Sequence, residues 1–95
     1  MKVKVQYFAS IRELLGLREE MLEVKEKATV LDVLKVLAQK HGEQLKEYVF
    51  DSKTGNPRSN LQFLVNEDSI TSLNGLSTIL EENSSLAIIP PIGGG

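Results

Sequence analysis

The sequence contains no cysteine, which excludes disulfides, thiolate nucleophiles, zinc–thiolate sites and iron–sulfur ligation. It contains one histidine, His41, and no cluster of residues with metal-ligand spacing, so no metal is expected. There is no run approaching the ~18 apolar residues of a membrane span. Met1, Lys2, Val3 and Lys4 at the start do not form the apolar stretch of a signal peptide. A cytoplasmic protein without a membrane partner is therefore expected. An excess of positive charge is also missing. With 11 Lys plus Arg against 13 Asp plus Glu, the formal net charge is -2, which argues against attraction to phosphate backbones and hence against nucleic acid as a partner. Length is the last shortage. Ninety-five residues, 41% of them hydrophobic, suffice for one modest core but not for a core plus a deep catalytic cleft. Binding or carrying is favoured over autonomous catalysis.

Residues 2–8 alternate, with Val3, Val5 and Tyr7 on one side and Lys2, Lys4 and Gln6 on the other, the period of a half-exposed strand. Phe8 would break the polar row unless the strand ends there and re-aims it. Ser10 is placed to cap a short helical turn through Ile11, Leu14 and Leu15, and Gly16 suits the left-handed position that ends it. A second strand over 20–26, with Leu22 and Val24 alternating against Glu23 and Lys25, is expected to pair antiparallel with the first. The strongest local signal spans 29–41. Thr29 caps, Asp32 sits in the first turn, and Val30, Val33, Leu34, Leu37 and Ala38 share one helical face before the stop at Gly42.

Beyond Gly42, the residues Leu45, Tyr48 and Val49 predict a further helical turn leading to a short strand over 49–51. Residues 52–60, centred on Thr54, Gly55, Asn56 and Pro57, read as an exposed hairpin loop. A strand over 61–65 follows, then a turn at Asn66, Glu67 and Asp68 and a short extended piece to Ile70. Leu73, Leu76, Ile79 and Leu80 punctuate a polar connection and are expected to plug the end of the core. A last strand over 86–89 is stopped by Pro90 and Pro91. No internal repeat is present. This content predicts an α+β domain over residues 1–91, a mixed sheet packed on one main helix, with residues 92–95 as a separate Gly-rich tail. The topology expected for this content is the β-grasp, or ubiquitin-like, fold, in which first and last strands lie side by side at the centre; the pattern supports the content more directly than the strand order.

The end of the sequence, Ile92, Gly93, Gly94 and Gly95, has no side chain to pack beyond Ile92 and a high backbone entropy. It reads either as a frayed terminus or as a thin thread on a stiff Pro90–Pro91 stem. As a thread it could enter a channel that any Cβ would block, and its one functional group is the Gly95 α-carboxylate.

The N-terminal run Val5-Gln6-Tyr7-Phe8-Ala9-Ser10-Ile11-Arg12-Glu13-Leu14-Leu15-Gly16 and the C-terminal run Ala87-Ile88-Ile89-Pro90-Pro91-Ile92-Gly93-Gly94-Gly95 resemble the small subunit of molybdopterin synthase, in the MoaD branch of the MoaD/ThiS sulfur carriers. The helix from Val30 and the turn Val65-Asn66-Glu67 fall where that family has them. Residues 48–60 and 74–80 resemble its archaeal type. The family pattern is two prolines, two variable residues and Gly-Gly, so Gly94 and Gly95 match while Gly93 stands at a variable place. One departure is the turn Glu82-Asn83-Ser84-Ser85, where relatives often have Gly-Asp.

The resemblance implies that an E1-like adenylating enzyme converts the Gly95 carboxylate to an acyl-adenylate. A sulfur donor then displaces AMP to leave a thiocarboxylate, which enters the large subunit of molybdopterin synthase and gives its sulfur to a pterin precursor. The chain would be a non-catalytic small subunit and cosubstrate holding no cofactor of its own, consistent with its lack of cysteine. The resemblance also places Phe8, Arg12 and Ile88, with Pro90 and Pro91, in a partner-facing patch. On the residues alone, Phe8 and Ile88 fit core equally well, because strand register is not fixed by the pattern. A ubiquitin-like modifier, joining Gly95 to protein lysines, would use the same activation chemistry; a thiamine sulfur carrier would share the tail.

The remaining polar residues read more plainly. His41 lies on the apolar side of its helix near the C-terminus, which suits partial burial or the helix dipole better than catalysis. Glu19 and Glu20, like Glu81 and Glu82, read as solvated faces. Without a GxSxG arrangement, the serines read as caps and turns.

Overall fold

The fold is described from a computed structural model over residues 1–91; Ile92, Gly93, Gly94 and Gly95 lie outside the described residues. The alternation of the first segment builds β1 (Lys2–Tyr7), whose Val3, Val5 and Tyr7 are fully buried. The strand stops at Tyr7, and Phe8, still extended, becomes the N-cap residue of α1 (Ala9–Leu15). Ser10 is not the cap. It stands inside the first turn, its hydroxyl against that of Tyr48. Gly16 ends α1 at φ 70° as expected, its N–H donating to the Arg12 carbonyl.

β2 (Glu19–Glu23) pairs antiparallel with β1, Val3 opposite Leu22 and Val5 opposite Glu20. It is shorter than the sequence suggests, although Val24 beyond it is still buried. α2 (Val30–His41) begins with a reciprocal capping box. The Thr29 hydroxyl accepts from the Asp32 N–H at 3.1 Å, and the Asp32 carboxylate accepts from the Thr29 N–H at 3.0 Å. The bond from the Thr29 N–H, above all, holds the Asp32 carboxyl below its ordinary pKa. Val30, Val33, Leu34 and Leu37 are at most 1% exposed, and they share one apolar cluster with the inward residues of the sheet. A helix this short is marginal alone, so that burial is what holds it.

α3 (Glu43–Val49) corrects the expected strand over 49–51. Helix continues through Val49, and only Phe50 forms an isolated antiparallel bridge with Pro57. The loop between them is exposed as predicted. β3 (Gln62–Val65) turns through Asn66 and Glu67, both at positive φ (48° and 76°), into the two-residue β4 (Asp68–Ser69). Of the four residues expected to plug the core, Leu80 is fully buried and Leu76 packs partly, whereas Leu73 (42%) and Ile79 (56%) are exposed. The connection runs over the surface in two short 3-10 turns, so alternate apolar residues face water.

β5 (Ser85–Ile89) closes the sheet. Asn83, ahead of it, takes φ 66°, a left-handed position asparagine tolerates, so the altered turn serves without glycine. The strand order is β2-β1-β5-β3-β4, with β1 and β5 parallel at the centre and the other pairs antiparallel. This is the β-grasp fold. No helix among the described residues is long and apolar enough to cross a membrane.

Candidate functional site

The tail root is the end of the sheet where β5 leads into Pro90 and Pro91. Parallel pairing sets Tyr7 beside Ile88, so the end of β1 and the start of α1 lie next to the exit of β5. Between them Ala9 takes φ 51°, a costly conformation for a residue with a Cβ. This kink turns the chain out of the strand and into the helix within one residue. Phe8 is half-buried and stands outside the apolar core cluster. Arg12 lies over it, the guanidinium carbon 5.5 Å from the ring centre, while its Nε donates to the Tyr7 carbonyl at 3.1 Å.

Phe8 and Arg12 are thus brought together. Ile88 is not part of that surface. It is fully buried, opposite Tyr7 on one side and Phe63 on the other, and the interface role expected for it gives way to a core role. The cause is β5's central position, where each neighbour supplies an inward residue and the pleat turns Ile88 toward the helices. Pro90 is buried and Pro91 half-buried. Both line a shallow groove of about 340 Å³ whose walls include Ser10, Tyr48, Arg58 and Leu61. Gly93, Gly94 and Gly95, expected to carry the chemistry, lie outside the described residues.

Arg58 was not singled out by the sequence, where it sits in an anonymous turn cluster. Its Nε and Nη2 both donate to the Glu47 carbonyl, at 3.2 and 2.9 Å, and its N–H donates to the Val49 carbonyl at 2.7 Å. These are carbonyls of the last turn of α3, which have no partner within the helix. Such a cap is set by tertiary placement, and only the turn residues around Arg58 give any hint of it.

A polar hub lies on the other side of Tyr7. Glu20, expected on a solvated face with Glu19, has a side chain only 10% exposed. Tyr7 donates its hydroxyl to Glu20 Oε2 at 2.5 Å, Lys40 Nζ donates to Oε1 at 2.5 Å, and His41 Nε2 lies 2.6 Å from Oε2. Burial pushes the Glu20 carboxyl up, but the bonds from Lys40, Tyr7 and His41 outweigh it and hold the net value below the ordinary one. Burial, then the bond to Glu20, drives the Tyr7 phenol upward. His41 takes the partly buried place expected of it, completing the hub with Lys40 from the end of α2.

Neither region resembles a metal site, since no group of three metal-binding side chains occurs among the described residues. The larger hollow, about 770 Å³, lies along α2 and α3 beside Lys35, Ala38 and Phe50. It includes neither Phe8, Arg12 nor the prolines, so its size does not make it the site.

Comparison with known proteins bears on this corner. A family model described as the ThiS family matches residues 5–95, through the final glycine. Small archaeal modifier protein 3 from Haloferax volcanii is 27% identical over 95 residues, covering 100% of both chains. The solution structure of small archaeal modifier protein 1 from Methanosarcina acetivorans is 32% identical, covering 99% of this chain and 96% of that one, with a TM-score of 0.86. A Pyrococcus furiosus structure with the provisional name molybdopterin converting factor, subunit 1, is 30% identical, covering 96% of this chain and 98% of that one, with a TM-score of 0.74. With the β-grasp topology and a family match over nearly its full length, the chain belongs to the ThiS family of ubiquitin-like sulfur carriers.

Proposed function

We propose that this chain carries sulfur as a thiocarboxylate on Gly95 and supplies it for assembly of the molybdopterin of a molybdenum or tungsten cofactor. The observation that carries the reading is the family match running through Gly95, so that the final Gly94-Gly95 stands in the family's frame. The register supports it, because Tyr7 pairs with Ile88 and so sets Phe8, with Arg12 over its ring, beside the exit of β5.

A carboxylate is a poor acyl electrophile. In the proposed reaction a Gly95 carboxylate oxygen attacks the α-phosphorus of ATP on an E1-like adenylating enzyme, releasing pyrophosphate and forming an acyl-adenylate. Sulfide sulfur from a donor then attacks the acyl carbon, the C–O bond to AMP breaks, and AMP departs with the bonding pair. The thiocarboxylate would next enter the large subunit of molybdopterin synthase. The domain's part is to hold the tail root steady and present it to each partner in turn.

The relatives named as modifiers, and the provisional molybdopterin name of another, support two fates of one activated carbonyl, capture by sulfide or by a lysine amine. We place sulfide first, on the likeness of Phe8, Arg12 and the Pro90-Pro91 stem to the synthase subunit. Incubation with the adenylating enzyme, ATP and a sulfur donor should exchange one oxygen of the C-terminal peptide for sulfur, read by intact-mass and peptide mass spectrometry. Sulfur located elsewhere, or no change with a demonstrably active enzyme, would overturn the carrier reading. Deleting the gene in its host, in a strain without a sister carrier, should abolish molybdopterin. Normal molybdopterin with loss of covalent conjugates would favour the modifier.

A further inference from the structure

We propose that Arg58, together with Arg12, forms a cationic rim at the tail root that docks on a carboxylate-bearing rim around the channel of the adenylating enzyme. The inference rests on the proposed activation of Gly95 and adds the surface by which the enzyme recognises the carrier.

The two guanidiniums come from segments far apart in sequence, yet both border the exit of β5. Arg58 shares a groove wall with Pro91, and Arg12 Nε bonds the carbonyl of Tyr7, which pairs with Ile88 two residues before Pro90. Each is held by backbone carbonyls, Arg58 through two bonds to Glu47 and Arg12 through one bond to Tyr7. Carbonyl bonds fix a guanidinium without neutralising it. Among the described residues neither arginine joins an ion pair. Glu47 lines the groove as well, and Arg58 bonds its main-chain carbonyl. A guanidinium has five N–H donors in a planar fork, so Arg58 keeps three and Arg12 four for a partner.

Such an arrangement suits a partner carboxylate, which a fork can bind in bidentate fashion. It also answers a need of the reaction. Three glycines offer little surface for binding, and the Gly95 carboxylate must approach the anionic phosphates of ATP. Attraction for docking therefore has to come from outside the tail. In a chain with a net charge of -2, two un-neutralised cations at the root supply it locally. Because both side chains are already fixed, less rotamer freedom is lost when the partner arrives.

The test is ATP–pyrophosphate exchange by the purified adenylating enzyme of the host, titrated with wild type, Arg58→Gln and Arg58→Lys at several salt concentrations. Glutamine can still donate to the Glu47 carbonyl, so the helix cap is kept while the charge is lost; thermal unfolding of each variant checks this. Arg58→Gln should raise the KM for the carrier about tenfold, leave kcat unchanged, and flatten the salt dependence of kcat/KM. Arg58→Lys should retain most of the salt dependence. An unchanged KM in Arg58→Gln, or a raised KM with wild-type salt dependence, would reduce Arg58 to a helix cap and overturn the proposal. Absence of exchange with wild type, by an enzyme that activates another carrier, would instead overturn the function on which the proposal rests.

Discussion

The helix-covered face of the sheet and the tail root are built from the same strands, β1 and β5, but by opposite means. On the face, Val3, Val5, Leu86 and Ile88 are fully buried and need only be apolar and of the right volume. At the root, Phe8 and Pro91 are half-buried, and Arg12 and Arg58 are positioned by single carbonyls. Stability comes from the first region, and the proposed recognition belongs to the second. If the division holds, changes in one should leave the other's observable almost untouched.

The largest separation is expected from removal of Gly94 and Gly95. Adenylation and sulfur loading should be lost completely while the thermal midpoint stays within experimental error, since the ladders of β5 end at Ile89, before the residues removed. A large drop in the midpoint would make the tail structural. Leu34→Ala is the converse change. It should cost roughly 2 to 5 kcal/mol in denaturant unfolding, and the fraction that remains folded should be activated with a normal KM.

Phe8→Asp should weaken binding to the large subunit by about 2 kcal/mol in calorimetry with little effect on unfolding, because Phe8 lies outside the core cluster. Unfolding of the isolated domain would assign Phe8 to the core and erase the division at that point.

The smallest effect sharpens the boundary at Tyr7, which belongs to both regions. The folded pKa of Glu20 is depressed, so its contribution is fully present above the unfolded value and is lost as pH falls through the folded one. Wild type should therefore lose more stability than Glu20→Gln between neutral pH and about pH 3, measured by urea unfolding. Tyr7, Lys40 and His41 are the polar groups bonded to that carboxylate. Equal losses in the two proteins would mean that the hub does not stabilise the fold.

The same division governs what the sequence revealed. β1 and α2 were legible because one face is wet and the other dry, and because Thr29, Asp32 and Gly42 mark the helix ends chemically. β5 was legible as a strand but not by its faces. Leu86, Ala87, Ile88 and Ile89 form an unbroken apolar run, as a central strand does, so nothing distinguished inward Ile88 from half-buried Ile89. α3 was partly misread because Val49, Phe50 and Asp51 carry strand-like residues just where a helix ends against a turn. Glu20 and Arg58 were missed for a common reason. Their partners are Tyr7, Lys40 and His41 in one case and the Glu47 carbonyl in the other, and a charge has no sequence signature for partners supplied by the fold. The reading of Gly94-Gly95 is of another kind, since it rests on chemistry and does not depend on packing.

The central placement of β5 has a mechanical consequence. A partner that grips the chain beyond Pro91 and then withdraws pulls on this strand, which is hydrogen-bonded along both edges, to β1 on one side and β3 on the other. Ladder bonds run across the strands, so tension along β5 loads many of them together in shear instead of peeling them one at a time. An edge strand would unzip from its end. On the proposed function, the domain would serve as a handle, drawn repeatedly out of tight channels by its C-terminal end without being unravelled by the force that frees it.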